Sequence, residues 1–180
     1  MGPQDGLDLL IKSIDIIVKE RRRSDISFVL IGAGTAVPQL KKMVAELQLN
    51  DYVTFPGRLP NEDVQAYFST ADLGAAPDPA TPMNDKSTMN KIMEYMAYGL
   101  PVVLYDLTEG RYSADDSGLY AKDGDTAGFA DQILKLIDTP DLRAELGAKA
   151  RRRIEQSLNW ELEKKSLLSA YAKALETDRK

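Results

Sequence analysis

The stretch Ile26-Ser27-Phe28-Val29-Leu30-Ile31-Gly32-Ala33-Gly34 joins a short apolar run to a pair of glycines. The run is nearly all apolar and contains β-branched residues, which is typical of a strand that is buried on both faces. The glycines end the strand, and an amphipathic helix is predicted after them at about 37–47. A buried strand, a tight turn and a helix in this order indicate one unit of a parallel sheet covered by helices.

The same alternation continues on both sides of this unit. Asn61 is predicted as the N-cap of one of the helices, because acidic residues follow it in the first turn. We therefore predict an α/β fold with a Rossmann-like parallel sheet, helices on both faces and extra C-terminal helices. The further strands are predicted at 53–55, 73–76, 101–105 and 118–121, and the further helices at about 7–22, 61–70, 87–99, 126–137, 140–156 and 159–175.

Two features at the ends of the sequence extend this prediction. The first helix has no strand before it, although each crossover helix of a parallel sheet follows a strand. We therefore expect that a first strand is absent from this sequence. The last helix carries an apolar stripe that packs either on its own domain or on a partner domain, and its members are Leu168, Tyr171, Ala172 and Leu175.

The composition fits one globular domain over residues 1–180 and excludes several kinds of chemistry. The 23 Lys plus Arg and 28 Asp plus Glu give a formal net charge of −5, which argues against a broad nucleic-acid surface. The chain has no Cys and no His, so disulfides, Cys-based zinc sites and imidazole catalysis are excluded within it. No apolar run approaches the ~20 residues that span a bilayer, and the polar start is unlike a signal peptide. We expect a cytoplasmic location.

The glycines Gly32 and Gly34 form the first candidate binding site. Turns from strand to helix lie at the carboxyl edge of a parallel sheet, where ligands bind and where a helix N-terminus can hold a phosphate. A nicotinamide dinucleotide is the less favoured ligand, because Val37 stands where a third glycine is required and no acid ends the next strand. It stays open whether the glycines serve only the conformation of the turn.

The second candidate site is the helix that is predicted from Ser87 to Gly99. Asn90, Lys91 and Glu94 share one face of this helix, because they lie three and four residues apart. The Pro-rich loop 77–86 before the helix is long, and such loops are more often functional. Free amides at the helix start would suit a diphosphate, and Glu94 would suit sugar hydroxyls. The alternative is that Lys91 and Glu94 only form an ion pair at the surface. The core face of the helix consists of Met89, Ile92, Met93 and Met96.

The segment Glu94-Tyr95-Met96-Ala97-Tyr98-Gly99-Leu100-Pro101-Val102-Val103 resembles the E-x-M-A-x-G-x-P-V-V signature of the family-4 glycosyltransferases. Those enzymes are retaining and have the GT-B fold of two Rossmann-like domains. Residues 28–34, 53–60 and 67–72 are similar to successive landmarks of the C-terminal, donor-binding domain of that family. The resemblance covers essentially the whole chain.

This resemblance implies that residues 1–180 are a single nucleotide-sugar-binding domain, with the acceptor bound by an N-terminal domain that is absent here. Glu94 matches the second of the family's paired Glu residues, which would hold the ribose hydroxyls. Lys86 stands at the position of the first Glu, and Asp85 beside it would take over contact with the transferred sugar. Ser87, Thr88 and Met89 would offer amides to the diphosphate, and Arg58 either packs against the base or is an exposed turn residue.

The sequence departs from the family pattern near its start. Asp5-Gly6 matches the family's Lys-Gly, so the lysine that clamps the diphosphate is replaced, and the matching Arg position precedes Met1. Lys86 or Lys91 could supply the lost cation. No metal is implied, and the donor would be of the UDP or GDP type.

Two further stretches resemble the subset of the family that builds surface polysaccharides, namely Asn90-Lys91 and the segment 106–111. In that segment Glu109 and Arg111 either face the cleft or tie the loop through a salt bridge. The resemblance implies a sugar or lipid-linked sugar acceptor, so contact with the inner face of the membrane is consistent with it. The alternative function is a non-catalytic α/β ligand-binding or interaction module.

Overall fold

The computed structural model describes residues 1–177, with side chains described to residue 175. The predicted alternation of strands and helices is confirmed. The strands are β1 (Phe28–Ile31), β2 (Val53–Gly57), β3 (Gly74–Ala76), β4 (Val102–Tyr105) and β5 (Gly118–Ala121). The helices are α1 (Leu7–Asp15), α2 (Val37–Glu46), α3 (Asn61–Thr70), α4 (Asn90–Ala97), α5 (Thr108–Ala114), α6 (Thr126–Asp138), α7 (Pro140–Gln156) and α8 (Trp160–Thr177).

All strand pairs in this part of the chain are parallel, but the sheet is in two parts. β1 pairs with β2, and β3, β4 and β5 pair in that order. The register places Phe28 opposite Val53 in the first part and Gly74 opposite Val102 in the second. The predicted α/β fold with parallel strands is thus confirmed, with an interruption between β1 and β3.

Helices cover both faces of the strands, as the alternation predicted. On one face α1, α2 and α6 bury an apolar core in which the rings of Tyr105 and Phe129 lie 5.0 Å apart. On the other face α4, α5 and α7 enclose a smaller cluster around Ile92 and Met96. Each large apolar side chain that is fully buried in these cores contributes roughly 1.5–3 kcal/mol.

Several predicted boundaries need correction. Helix α4 begins at Asn90 and not at Ser87, because Ser87 and Met89 have extended backbones with ψ of 125° and 105°. The N-cap of α3 is Pro60 and not Asn61. The predicted helix 7–22 is split, since it widens to a π-helical turn over Ile16–Glu20 after α1.

The apolar stripe of α8 does not pack on its own domain. Leu168, Tyr171 and Leu175 are each more than 60 % exposed, at 65 %, 62 % and 63 %, and Ala172 is exposed as well. Of the two alternatives for this stripe, packing on its own domain is therefore wrong. Within residues 1–177, no helix has both the length and the apolar character needed to cross a membrane.

Candidate functional site

The turns after β1 and β2 lie side by side at the carboxyl edge of the strands. The amide of Gly32 donates to the carbonyl of Gly57 at 2.8 Å. Gly32 and Gly34 have φ of 131° and 155°, values that residues with a side chain rarely adopt. A Cβ on Gly34 would lie 2.1 Å from the carbonyl oxygen of Met1. Glycine is thus required here for the turn and for a close approach of the chain itself.

A cavity of about 920 Å³ runs along β1 and β3 and reaches this edge, where three predicted site residues line its wall. These are Gly32, Lys91 and Glu94, with Met1 and Asp5 beside them. The structure therefore brings the glycine turn and the functional face of α4 to one space. The remaining predicted residues are all described and lie outside the cavity wall: Gly34, Arg58, Asp85, Lys86, Ser87, Thr88, Met89 and Asn90.

Lys91 has a buried partner that sequence reasoning missed. Its Nζ donates to Oδ1 of Asp78 at 2.7 Å, and the Asp78 side chain is only 4 % exposed. Burial raises the pKa of the Asp78 carboxyl, although the positive charge of Lys91 opposes that rise. Among the described residues Oδ2 of Asp78 has no hydrogen-bond partner. The available signal was the position of Asp78 between two prolines directly after β3.

Glu94 lies one helical turn after the start of α4 and is exposed at the cavity wall. The amides of Asn90 and Lys91 are in the first turn, where an α-helix supplies no acceptor for its N–H groups. These groups carry the partial positive charge of the helix dipole. The arrangement therefore offers N–H donors for an anion and a carboxylate that accepts hydrogen bonds from hydroxyl groups.

The segment before α4 is held on α5 by hydrogen bonds. Asp85 accepts from the amide and from the hydroxyl of Thr108, at 2.8 and 3.0 Å. These two bonds lower the pKa of Asp85, the backbone bond most. The hydroxyl of Thr88 donates to Glu109 at 3.0 Å, and that of Ser87 donates to the carbonyl of Met83. The contact of Asp85 with a transferred sugar stays a prediction, and both of its oxygens already have a partner.

The other candidate cations are at the surface or paired. Arg58 and Lys86 are exposed. Arg111 donates to Asp106 at 2.7 Å, and its guanidinium lies 4.1 Å from the ring centre of Tyr120, so the salt-bridge interpretation of Arg111 is confirmed. Asp5 accepts from the amide of Gly2 at 2.8 Å. Across residues 1–175, no group of three acidic side chains is placed to hold a metal ion.

The family described as "Glycosyl transferases group 1" matches residues 1–139 of the chain. A GDP-mannose-dependent mannosyltransferase of Corynebacterium glutamicum, which acts on a monoacylated phosphatidylinositol monomannoside, is 26 % identical over 165 residues. That match covers 89 % of this chain and 42 % of the relative. The amylovoran biosynthesis glycosyltransferase AmsK of Erwinia amylovora is 28 % identical over 161 residues, with 86 % and 38 % covered. The chain thus spans about two fifths of these relatives.

Two solved structures that share the fold were found with UDP bound. TarM of S. aureus, solved with UDP and alpha-GlcNAc-glycerol, superposes with a TM-score of 0.82 at 24 % identity, over 94 % of this chain and 33 % of that one. HepE of Anabaena, solved with UDP, gives a TM-score of 0.83 at 18 % identity, over 96 % and 46 %. At these identities the likeness concerns the fold alone.

Proposed function

Because the chain belongs to the glycosyl transferases of group 1, we propose that it is the donor-binding domain of a retaining enzyme that takes a sugar from a nucleoside diphosphate sugar. The observation that carries the proposal is the shared cavity wall of Gly32, Lys91 and Glu94 at the carboxyl edge of the strands. The names of relatives in amylovoran and glycolipid biosynthesis favour a role in making surface polysaccharides. They also count against the non-catalytic alternative.

In this proposal each group at the cavity has a separate task. Glu94 accepts hydrogen bonds from the ribose hydroxyls of the donor. The first-turn amides of α4 and the ammonium of Lys91 stabilise the diphosphate as negative charge develops on it. Amides and a lysine supply this charge stabilisation without a bound metal, so EDTA should leave the affinity for UDP or GDP unchanged.

The acceptor side belongs to the same proposal. A sugar or lipid-linked sugar acceptor would be bound by an N-terminal domain, since the chain spans 42 % of its mannosyltransferase relative. Nucleotide sugars are cytoplasmic metabolites and lipid-linked acceptors are held at a membrane. The enzyme would therefore act in the cytoplasm, at the inner face of the membrane.

The test is isothermal titration calorimetry of the purified chain with UDP, GDP, ADP and NAD. We expect UDP or GDP to bind, and Glu94→Ala to weaken that binding about 10- to 100-fold, the loss expected for hydrogen bonds to a charged group. Glu62→Ala is the matched control, because Glu62 is an exposed acid on α3 outside the cavity wall. Equal affinity of both variants would contradict the proposal. Preferred binding of NAD would support a dinucleotide site, and no binding by the folded chain would support the non-catalytic module.

A further inference from the structure

The segment just before helix α4 lies where the last part of a bound donor would be. In the proposed function Glu94 holds the ribose and the first-turn amides hold the diphosphate, about one helical turn apart along α4. The transferred sugar of such a donor is attached to the phosphate that is farther from the ribose. It would therefore lie beyond the start of α4, beside the residues that precede Asn90.

Three polar side chains of this segment offer no free carboxylate oxygen to a sugar. Asp85 accepts from the amide and the hydroxyl of Thr108, one with each of its oxygens. The hydroxyl of Ser87 donates to a backbone carbonyl within the segment. Lys86 is exposed, and its ammonium can only donate hydrogen bonds. An acceptor for sugar hydroxyls has to come from a neighbouring element.

Glu109 brings a carboxylate to the segment from helix α5. It lies in the first turn of α5 and is half-buried. Its Oε2 accepts from the hydroxyl of Thr88 at 3.0 Å. Thr88 is two residues before Asn90, so their Cα atoms lie within about 7 Å of each other. The carboxylate is thus held beside the start of α4, next to the amides of the proposed diphosphate site.

Glu109 keeps hydrogen-bonding capacity for a ligand. The cation nearest to it in sequence, Arg111, pairs with Asp106 at 2.7 Å, and none of the described cations pairs with Glu109. The salt bridge that would tie Glu109 to its loop is therefore not formed. A carboxylate has about four lone-pair sites, and the Thr88 hydroxyl occupies one of them.

We propose that Glu109 binds the transferred sugar of the donor by accepting hydrogen bonds from its hydroxyl groups, and that it selects a neutral sugar over an acidic one. This inference rests on the proposed function, because it needs a donor that lies along α4. The selectivity follows from charge: hydroxyl groups donate to a carboxylate, whereas the carboxylate of a uronic acid is repelled by it. Thr88 is a positioning residue, since its hydroxyl holds Glu109 at the start of α4.

The test is calorimetry of the chain with UDP, UDP-glucose and UDP-glucuronic acid, or with GDP, GDP-mannose and GDP-mannuronic acid if GDP is the nucleotide that binds. We expect the neutral sugar nucleotide to bind about fivefold or more tightly than the acidic one, the Coulomb cost of two like charges about 4 Å apart in water. Glu109→Gln keeps an oxygen that can accept from Thr88 and removes the charge. It should bring the two affinities within about twofold of each other.

A second variant removes the acceptor itself. Glu109→Ala should weaken the neutral sugar nucleotide about tenfold, the loss of a hydrogen bond to a charged group, and leave UDP or GDP within about twofold. Glu62→Gln is the matched control, because Glu62 is an exposed acid on α3, and it should keep the affinity ratio of the wild type.

Two results would overturn the proposal and assign Glu109 a purely structural link to Thr88. One is an unchanged ratio in Glu109→Gln, and the other is an equal loss of sugar nucleotide and of UDP or GDP in Glu109→Ala. If either occurs while Glu94→Ala still weakens the nucleotide, only this inference fails. Absence of both UDP and GDP binding would contradict the proposed function, and this inference with it.

Discussion

The ion pair between Lys91 and Asp78 determines which N–H donors the proposed diphosphate site can offer to a ligand. Lys91 is the cation at the cavity wall, and its partner Asp78 is almost fully buried. An ammonium has three N–H donors, and one of them is used by Asp78 at 2.7 Å. Lys91 also lines the cavity, and within the described residues its other two N–H groups have no further side-chain partner, so they can serve a ligand there. This pairing makes Lys91 a better candidate than the exposed Lys86 for the missing diphosphate lysine.

Lys91→Ala should weaken the binding of UDP or GDP at least tenfold in calorimetry, because a charge-assisted contact to the diphosphate is worth about 1.5–3 kcal/mol. Lys86→Ala is the matched control and should leave the affinity within about twofold. Lys91→Ala also leaves Asp78 buried without a cation, which lowers stability. The double variant Lys91→Ala with Asp78→Asn should recover that stability and not the affinity. An unchanged affinity in Lys91→Ala would exclude this role.

The helix α5 shows why some elements escaped sequence reasoning. Its seven residues carry a glycine in the middle and no side-chain N-cap of their own, so the segment 106–111 was expected to be a loop. Its start is capped by Asp85, which lies 23 residues earlier in the sequence. A second long-range bond, from the hydroxyl of Thr88 to Glu109, ties the segment before α4 to α5, and Ser87 in that segment is extended, so α4 begins later than its pattern predicted. The apolar periods of helices and strands are local, so the sequence is enough to predict those elements. These long-range contacts form only when the chain is folded.

Asp85→Asn should loosen the start of α5. In the wild type the amide of Thr108 donates to the Asp85 carboxylate, and this bond is the main cause of the lowered pKa of Asp85. A lowered pKa in the folded state means that the contribution is complete above the ordinary pKa of 3.8 and is lost as the pH falls through the folded value.

Hydrogen exchange measured by NMR at neutral pH should show several-fold faster exchange at Thr108 in Asp85→Asn. In thermal unfolding the difference between the two proteins should shrink as the pH falls below 3.8 and through the lowered pKa of Asp85, since the wild-type carboxyl then becomes protonated. Asp63→Asn, an exposed acid in the first turn of α3, should behave as the wild type. Unchanged exchange at Thr108 would mean that Asp85 does not cap α5.

At the scale of the whole molecule, the sequence predicted the architecture better than the site. The alternating apolar patterns are enough to predict the five strands and the helices between them. A parallel sheet then places every strand-to-helix turn at one edge. This is why Gly32 and Glu94 could be expected near each other. The hydrogen bonds made by Asp78 and Thr108 could not be expected, because they depend on how the loops cross that edge. The expected absence of a first strand stays a prediction.

The chain alone should bind a nucleoside diphosphate and fail to transfer sugar. In the proposed function the residues at its cavity bind phosphate and hydroxyl groups, and the acceptor site lies in a further domain. With UDP-glucose or GDP-mannose and a sugar or lipid-linked acceptor, we expect release of UDP or GDP below about 0.1 per second, a hundredth of the typical ~10 per second. Calorimetry on the same sample is the control, because it shows that the donor site is intact. Turnover at a typical rate would mean that residues 1–180 hold a complete active site, and the assignment as a donor-binding domain would be wrong.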